Sequence, residues 1–162
     1  NRNMYFSSVL GCNLGMFYKR RDYTRVVNGR NPIVAHEYLG DSVEGKTVFI
    51  ADDIIASGES MLEVASNLKA RGAKRIIADA TFPLFTSGLD KFDKAVEEGT
   101  LDYVVGTNLT YRKPELLNRD WYVDVDVSKY AAYFIVALNH DMSVSSIIDP
   151  IKKIEALLAN RK

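Results

Sequence analysis

Two adjacent carboxylates, Asp52 and Asp53, follow an apolar run that begins at Val48 and is typical of a buried β-strand. A short stretch of small and polar residues comes next, and a helical pattern follows from Met61. Backbone N–H groups in the first turn of a helix lack partners and carry partial positive charge, so they bind phosphate. Carboxylates at such a position bind sugar hydroxyls or Mg²⁺. The spacing therefore predicts a phosphate site with a carboxylate pair beside it.

The five residues 56–60 form the predicted phosphate loop. Ser57, Gly58 and Ser60 are small enough to let a phosphate approach the backbone closely. Ala56 and Glu59 complete the loop, and a Glu59 carboxylate next to a phosphate would repel it unless the side chain points outward. The direction of the Glu59 side chain therefore decides how well the loop can bind an anion.

The elements around this loop predict an α/β fold with an open, mostly parallel sheet. An amphipathic helix is expected from about Glu59 to Arg71, and a second buried strand from Ile76 to Phe82. The strand, helix, strand order is typical of parallel sheets with crossover connections. Ligands of such sheets bind outside the carboxyl ends of the strands, which is where Asp52 and Asp53 fall.

Two polar groups farther along the chain have alternative interpretations. Thr86 and Ser87 follow the second strand and either line the crevice or cap the next helix. Asp124 and Asp126 share one face of a predicted strand at residues 121–127 and could form a metal pair. We favour a solvated strand face for them, because no histidine lies nearby in sequence.

Two helices are predicted to complete the fold. A largely apolar helix runs from Ser128, its capping residue, through Leu138 and is expected to pack on the sheet. A last amphipathic helix starts after Asp149 and Pro150. Its inward-facing residues are expected to be Ile151, Ile154, Leu157 and Leu158.

A basic cluster, Lys19, Arg20 and Arg21, opens a polar segment near the start of the chain. We predict a flexible loop over residues 20–32. Composition alone favours a solvated surface loop there over a functional one, because most charge runs are simply exposed to water.

Length and composition fit one domain over residues 1–162, with acidic and basic side chains in balance. The balanced charge provides no general attraction for nucleic acid or an anionic membrane, and no apolar run reaches the length of a membrane span. A single cysteine, Cys12, and the lack of a leader pattern suggest a cytoplasmic protein. Because the first residues already follow a helical pattern without an initiator methionine, we expect the C-terminal part of a longer protein.

Residues 52–60 resemble the phosphoribosyl pyrophosphate binding motif shared by type I phosphoribosyltransferases and ribose-phosphate pyrophosphokinases. Residues 19–21, 72–76, 80–85 and 143–145 are similar to the C-terminal half of bacterial ribose-phosphate pyrophosphokinases, also called phosphoribosyl pyrophosphate synthetases. The resemblance implies a type I phosphoribosyltransferase-like sheet with helices on both faces. It also implies transfer of pyrophosphate from MgATP to the C1 hydroxyl of ribose 5-phosphate by a homo-oligomer.

The resemblance assigns roles to individual residues. Asp52 and Asp53 correspond to residues that bind the ribose hydroxyls and help to place Mg²⁺, while Lys19 and Arg21 match a catalytic loop pair. Residues that correspond to the 5-phosphate loop are Ala56, Ser57, Gly58, Glu59 and Ser60. Ser143 and Ser145 resemble serines that contact a regulatory phosphate at a subunit interface, although a simple capped loop before the last helix fits them nearly as well.

Two other functions use the same residues. A nucleobase phosphoribosyltransferase would use the same carboxylates and loop, but we identify no base-recognising hood in the sequence. A non-catalytic homologue would keep the sugar-phosphate pocket for regulation or assembly. Because the family's ATP-binding elements precede the position of Asn1, we expect this chain to bind ribose 5-phosphate at best and not to turn over.

Overall fold

The computed structural model describes residues 2–21, 24 and 33–160. The chain divides into two compact units, Asn1–Ser42 and Val43–Lys162. The expectation of a single domain over residues 1–162 stays a prediction. The elements are α1 (Arg2–Leu10), β1 (Met16–Arg21), β2 (Ile33–Leu39), β3 (Thr47–Ile55), α2 (Glu59–Ala70), β4 (Arg75–Pro83), α3 (Asp90–Glu97), β5 (Tyr103–Thr107), α4 (Pro114–Leu117), β6 (Tyr122–Val125), α5 (Ser128–Asn139), α6 (Ser145–Ile148) and α7 (Ile151–Ala159).

The Asn1–Ser42 unit contains α1 and an antiparallel pair formed by β1 and β2. In this pair Lys19 lies opposite His36, and Arg21 lies opposite Ile33. Arg20 and Arg21 thus belong to a strand, although the sequence predicted that the flexible loop starts at residue 20. Residues 22, 23 and 25–32 of that loop lie outside the described residues.

The Val43–Lys162 unit contains a parallel sheet with the strand order β3-β4-β5-β6. Val48 pairs with Ile76, Ala78 with Val104, and Val104 with Tyr122. Short apolar runs joined by helices form such sheets because each crossover returns the chain to the same end of the sheet. The predicted open parallel α/β architecture is confirmed.

The core of this unit lies between one face of the sheet and helices α2 and α3. Ile76, Ala78 and Val104 point to that face and are fully buried. Helix α2 buries Met61, Ala65 and Leu68, spaced at i, i+4 and i+7. The amphipathic helix expected from about Glu59 is therefore confirmed, and these three residues form its buried face.

The predictions for α5 and α7 are partly wrong. Ile135 and Leu138 of α5 are 68% and 69% exposed, and only Ala137 of this helix is buried. In α7, Leu157 is 70% exposed rather than turned inward. An apolar pattern indicates that a helix needs a covering surface, but it does not identify that surface. Within the described residues, no helix has both the length and the apolar content for crossing a membrane.

The start of α5 also differs from the prediction, which assigned the cap to Ser128. Ser128 is the first residue of the helix, and the flanking position before it is occupied by Val127, which makes no capping bond through its side chain. Instead, the Ser128 amide donates to Oδ1 of Asp126 at 2.8 Å. A carboxylate at this position satisfies an unpaired amide and interacts favourably with the positive end of the helix.

Candidate functional site

The phosphate loop at residues 56–60 follows the end of β3 and includes the first two residues of α2. Its backbone turns at Gly58, whose φ of 79° lies in the left-handed region that favours glycine. The Leu62 amide donates to the Gly58 carbonyl at 2.9 Å and closes the first turn of α2. Amides that precede Leu62 in the helix have no carbonyl one turn earlier to bond with. The structure thus places Ser57, Gly58 and Ser60 at a helix N-terminus, where an anion is stabilised.

Phe92 of α3 forms the floor beneath Gly58. A Cβ atom added to Gly58 would lie 2.3 Å from both Cε2 and Cζ of Phe92. The Phe92 ring packs edge to face on Phe85, with centroids 4.9 Å apart, and stacks on Trp121 at 5.9 Å. Because the ring is fully buried and held by these neighbours, it has little room to move away. The loop therefore needs glycine here for its backbone angle and for this close contact.

The segment that follows β4 braces the phosphate loop from the side. The amides of Leu84 and Phe85 donate to the Ile55 carbonyl at 2.9 Å and 3.1 Å. The Thr86 amide donates to the Ala56 carbonyl at 2.9 Å. These bonds connect the carboxyl ends of β3 and β4, so both segments lie at the same edge of the sheet.

The structure rejects the alternative in which Thr86 or Ser87 caps α3. This helix begins at Asp90, and its N-terminal flanking residue is Leu89, which makes no capping bond through its side chain. Both Thr86 and Ser87 are exposed at the edge that also carries the phosphate loop. The other alternative, in which Thr86 and Ser87 line the crevice, stays a prediction.

Asp52 and Asp53 lie in β3 close to its carboxyl end. The strand continues to Ile55, and Ile54 still pairs with Phe82, so the predicted strand end at the carboxylates is too early. Both side chains are exposed, and Oδ1 of Asp52 accepts the Asp53 amide at 2.8 Å. Successive side chains of a strand point to opposite faces, so the two carboxylates flank the strand.

Glu59 is the first residue of α2, and its carboxylate is directed at α3. Nζ of Lys91 lies 2.6 Å from Oε1 of Glu59. This hydrogen bond, followed by the charge of the ammonium group, lowers the pKa of the Glu59 carboxyl. Glu59 is therefore ionised at neutral pH and paired with a cation. The sequence offered no signal for Lys91, because 32 positions separate it from Glu59 and only the fold brings them together.

The carboxylates Asp52 and Asp53 fit the way in which proteins bind Mg²⁺. Within residues 2–21, 24 and 33–160, no three His, Cys, Asp or Glu side chains are grouped closely enough to hold a metal ion. Mg²⁺ does not require such a group, because it usually binds one or two carboxylates together with water and substrate phosphates. The exposed pair at the end of β3 supplies that number of carboxylates.

Asp124 and Asp126 do not share a strand face, because β6 ends one residue before Asp126. Asp124 forms an ion pair with Arg112. Oδ1 of Asp126 accepts the Ser128 amide at 2.8 Å and Nδ2 of Asn108 at 2.6 Å. Hydrogen bonds from Ser128, then from Asn108, lower the pKa of the Asp126 carboxyl. Each carboxylate thus has its own polar partners, which the sequence pattern did not reveal.

Tyr122 lies in β6 and is buried, so the pKa of its hydroxyl provides a test of this burial. Burial, followed by the nearby charge of Asp124, raises the pKa of the Tyr122 hydroxyl to about 12, and Arg112 opposes the shift. The folded pKa therefore lies above the unfolded value of about 10. As the pH rises from about 10 to about 12, the unfolded chain loses this proton first, so the wild-type protein loses stability on the order of 1 kcal/mol.

We expect Tyr122→Phe to remove this alkaline loss of stability. At pH 7 the variant should be about as stable as the wild type, because the Tyr122 hydroxyl has no hydrogen-bond partner among the described residues. Urea unfolding between pH 8 and 12 measures the difference. Tyr111→Phe is the control, since Tyr111 is 81% exposed and its removal should leave the profile unchanged. Parallel profiles for wild type and Tyr122→Phe would contradict the prediction.

The residues proposed for the catalytic loop lie in the other compact unit. Lys19 and Arg21 are part of β1 within Asn1–Ser42, whereas the phosphate loop belongs to Val43–Lys162. The structure describes the backbone of both residues and their pairing with β2. Their catalytic role stays a prediction.

Ser143 and Ser145 are hydrogen-bonded to each other at the start of α6. Oγ of Ser143 accepts the Ser145 amide at 3.3 Å, and the two hydroxyl oxygens are 3.1 Å apart. This local arrangement accounts for both hydroxyls as an ordered connection before the helix. A regulatory phosphate site at these serines stays a prediction.

Comparison with known proteins identifies relatives of the chain. Residues 3–128 match the family described as "Phosphoribosyl transferase domain". Ribose-phosphate pyrophosphokinase of Wolinella succinogenes is 35% identical over 114 residues, which cover 70% of this chain and 34% of that protein. Its counterpart in Shewanella oneidensis is 29% identical over 134 residues, covering 83% of this chain and 39% of that protein. These matches confirm the resemblance inferred from the sequence motifs.

A solved structure shares the fold. Phosphoribosylpyrophosphate synthetase from Mycobacterium smegmatis aligns with a TM-score of 0.64 at 22% sequence identity, over 85% of this chain and 40% of that one. At this identity the likeness supports the fold class. The segments aligned with the two curated relatives cover 34% and 39% of the length of those proteins, so this chain corresponds to only part of each of them.

Proposed function

The chain belongs to the phosphoribosyl transferase domain family, and we propose that it forms the ribose 5-phosphate half of a ribose-phosphate diphosphokinase. In this reaction the C1 hydroxyl oxygen of ribose 5-phosphate bonds to the β-phosphorus of ATP. The bond between that phosphorus and the oxygen bridging to the α-phosphate breaks at the same time. The products are phosphoribosyl pyrophosphate and AMP, and the hydroxyl proton passes to solvent or a base.

One observation supports the ribose 5-phosphate site above all others. A carboxylate pair, a tight turn at Gly58 and the N-terminus of α2 follow one another within residues 52–60. The 5-phosphate would accept hydrogen bonds from the amides of the loop, and the helix dipole would stabilise its charge. The carboxylates would accept the ribose hydroxyls. Because Asp52 and Asp53 flank the strand, a sugar that contacts both would lie across the strand end.

Charge stabilisation is the main task of such a site, since phosphoryl-type transfer needs little covalent work from the protein. When bound at Asp52 and Asp53, Mg²⁺ would supply positive charge to the phosphates. Lys19 and Arg21, the β1 residues that match the family's catalytic loop pair, would supply further positive charge to the migrating group. Orientation of the C1 hydroxyl would come from the contacts of the sugar with the carboxylate pair.

For this chain alone we propose only one part of the reaction, which is the binding of ribose 5-phosphate. The curated relatives that carry the ribose-phosphate pyrophosphokinase name are about twice as long as this chain, since the 114 aligned residues make up 70% of this chain and 34% of the Wolinella succinogenes protein. We therefore assign to residues 1–162 the binding of ribose 5-phosphate, and to the full-length enzyme the use of ATP and its oligomeric assembly. Release of AMP from ATP and ribose 5-phosphate by the 162-residue chain would contradict this assignment.

Calorimetric titration with ribose 5-phosphate tests the site directly. We expect Asp52→Asn and Asp53→Asn each to weaken binding by roughly ten- to a hundredfold, because each removes a charge-assisted hydrogen bond to a sugar hydroxyl. Asp120→Asn is the matched control, since Asp120 is an exposed aspartate outside the candidate site. Equal affinities for the three variants and the wild type would rule out a role for the carboxylate pair.

The same titration separates the enzyme classes when it is applied to a full-length protein. A ribose-phosphate diphosphokinase should respond to both ribose 5-phosphate and ATP. A nucleobase phosphoribosyltransferase should bind phosphoribosyl pyrophosphate tightly and give no response to ATP. A homologue that binds ribose 5-phosphate but produces no AMP would instead have a non-catalytic role.

A further inference from the structure

Glu59 introduces a negative charge into the first turn of α2, beside the loop proposed to bind a phosphate. A phosphate dianion bound at the loop would repel a nearby carboxylate, and such repulsion is larger near a protein surface than in water. The lowered pKa of Glu59 excludes relief through protonation at neutral pH. If the loop binds a phosphate, another group must offset this charge.

Lys91 is positioned to offset it. Its ammonium group lies 2.6 Å from Oε1 of Glu59, and the pair lies in a groove of about 350 Å³ between α2 and α3. Lys91 precedes Phe92, the buried residue that packs beneath Gly58. The same turn of α3 thus supports the loop from below and brings a cation to its acidic residue.

We propose that Lys91 is a positioning residue for phosphate binding: it holds the Glu59 carboxylate toward α3 and neutralises it, so that the loop can accept the 5-phosphate. This proposal rests on the proposed function and adds a residue outside the 52–60 motif. It explains how a glutamate is compatible with the phosphate loop. Glu59 would then disfavour anion binding only when its partner is missing.

Lys94 offers an internal control on the same helix. It borders the same groove, but Nζ of Lys94 pairs with Oε1 of Glu98 at 3.7 Å rather than with the loop. Removal of either lysine changes the net charge by one and shortens an exposed side chain of α3. A general effect of net charge on phosphate binding should therefore be similar in both variants.

The experiment is a ¹H–¹⁵N NMR titration of the 162-residue chain with ribose 5-phosphate and, separately, with inorganic phosphate. The readouts are the amide shifts of Ser57, Gly58 and Ser60. We expect Lys91→Ala to weaken binding by about three- to tenfold, and Lys91→Arg and Lys94→Ala to stay within about twofold of the wild type. In the Lys91→Ala background, Glu59→Gln should restore affinity to within about twofold of the wild type, because the unpaired carboxylate is then absent.

A second readout tests the ion pair without any ligand. The ¹³C carboxyl shift of Glu59 followed against pH should give a higher midpoint in Lys91→Ala than in the wild type, and an unchanged midpoint in Lys94→Ala. The midpoint thus reports whether the pair forms in solution. The role in phosphate binding is tested by the rescue, because Glu59→Gln would not restore the affinity of Lys91→Ala if Lys91 only stabilised α3.

The outcomes distinguish this inference from the proposed function. Wild-type loop shifts with equal affinity in Lys91→Ala would overturn the role of Lys91 and leave the ribose 5-phosphate site standing. Loop shifts with inorganic phosphate alone, still weakened by Lys91→Ala, would overturn the sugar-phosphate assignment and support the role of Lys91. No loop shifts with either ligand would overturn both.

Discussion

Replacing Gly58 with alanine is expected to lower the free energy of unfolding of the Val43–Lys162 unit by about 2–5 kcal/mol. An alanine held at a φ of 79° costs about 1–2 kcal/mol relative to glycine. Overlap of the new methyl group with the Phe92 ring, 2.3 Å from two ring carbons, adds about 1–3 kcal/mol through displaced side chains and backbone. Ribose 5-phosphate binding should be lost, because relief of this overlap moves the loop amides.

Gly99→Ala separates these two contributions. Gly99 has a φ of 69°, but a Cβ atom there would meet nothing within 4 Å. The control should therefore show only the backbone cost, about 1–2 kcal/mol. Urea unfolding followed by far-ultraviolet circular dichroism gives both values, and calorimetry gives the ligand affinity. Equal destabilisation by the two substitutions would show that Phe92 does not restrict the loop.

The sequence was sufficient to predict the elements that carry the candidate site. The apolar run from Val48 and the stripe at Met61, Ala65 and Leu68 each have one dominant period, so a parallel strand and a helix followed directly. The boundary of β3 was less accurate. The strand extends to Ile55 because Leu84 and Phe85 donate to its carbonyl, and those donors lie almost thirty residues away.

What surrounds the loop could not be predicted, because it depends on contacts between distant segments. Nothing in the sequence pattern indicated that the Phe92 ring contacts Gly58. Lys91 resembled any exposed lysine of a surface helix. Burial of α5 was overestimated for a related reason, since composition records the apolar character of Ile135 and Leu138 but not what covers them.

These contacts assign α3 a larger part in the candidate site than its sequence suggests. Phe92 supports the turn at Gly58, while Lys91 engages the carboxylate of Glu59. Asp93, the next residue, accepts a hydrogen bond from Nε1 of Trp121 at 2.7 Å, which connects α3 to the residue just before β6. The position of the phosphate loop therefore depends on how α3 is packed, as well as on the 52–60 motif.

Truncation of the Phe92 side chain is the second change for which we expect a large effect. Phe92→Ala should lower the free energy of unfolding by about 3–5 kcal/mol, because it removes a fully buried ring and leaves a cavity between Phe85 and Trp121. Phe49→Ala is the control. Phe49 is 58% exposed on β3, so its truncation should cost less than about 1 kcal/mol. Urea unfolding by circular dichroism measures both.

Combining Gly58→Ala with Phe92→Ala tests whether the two positions act through one contact. In the double variant, the alanine methyl at position 58 enters space that the ring has vacated, so the overlap disappears. The remaining cost is the sum of the loss of the Phe92 ring and the backbone strain of alanine at position 58. The double variant should therefore be more stable than the sum of the single effects predicts, by about 1–3 kcal/mol. Additive losses would instead mean that Phe92 stabilises the core without limiting position 58.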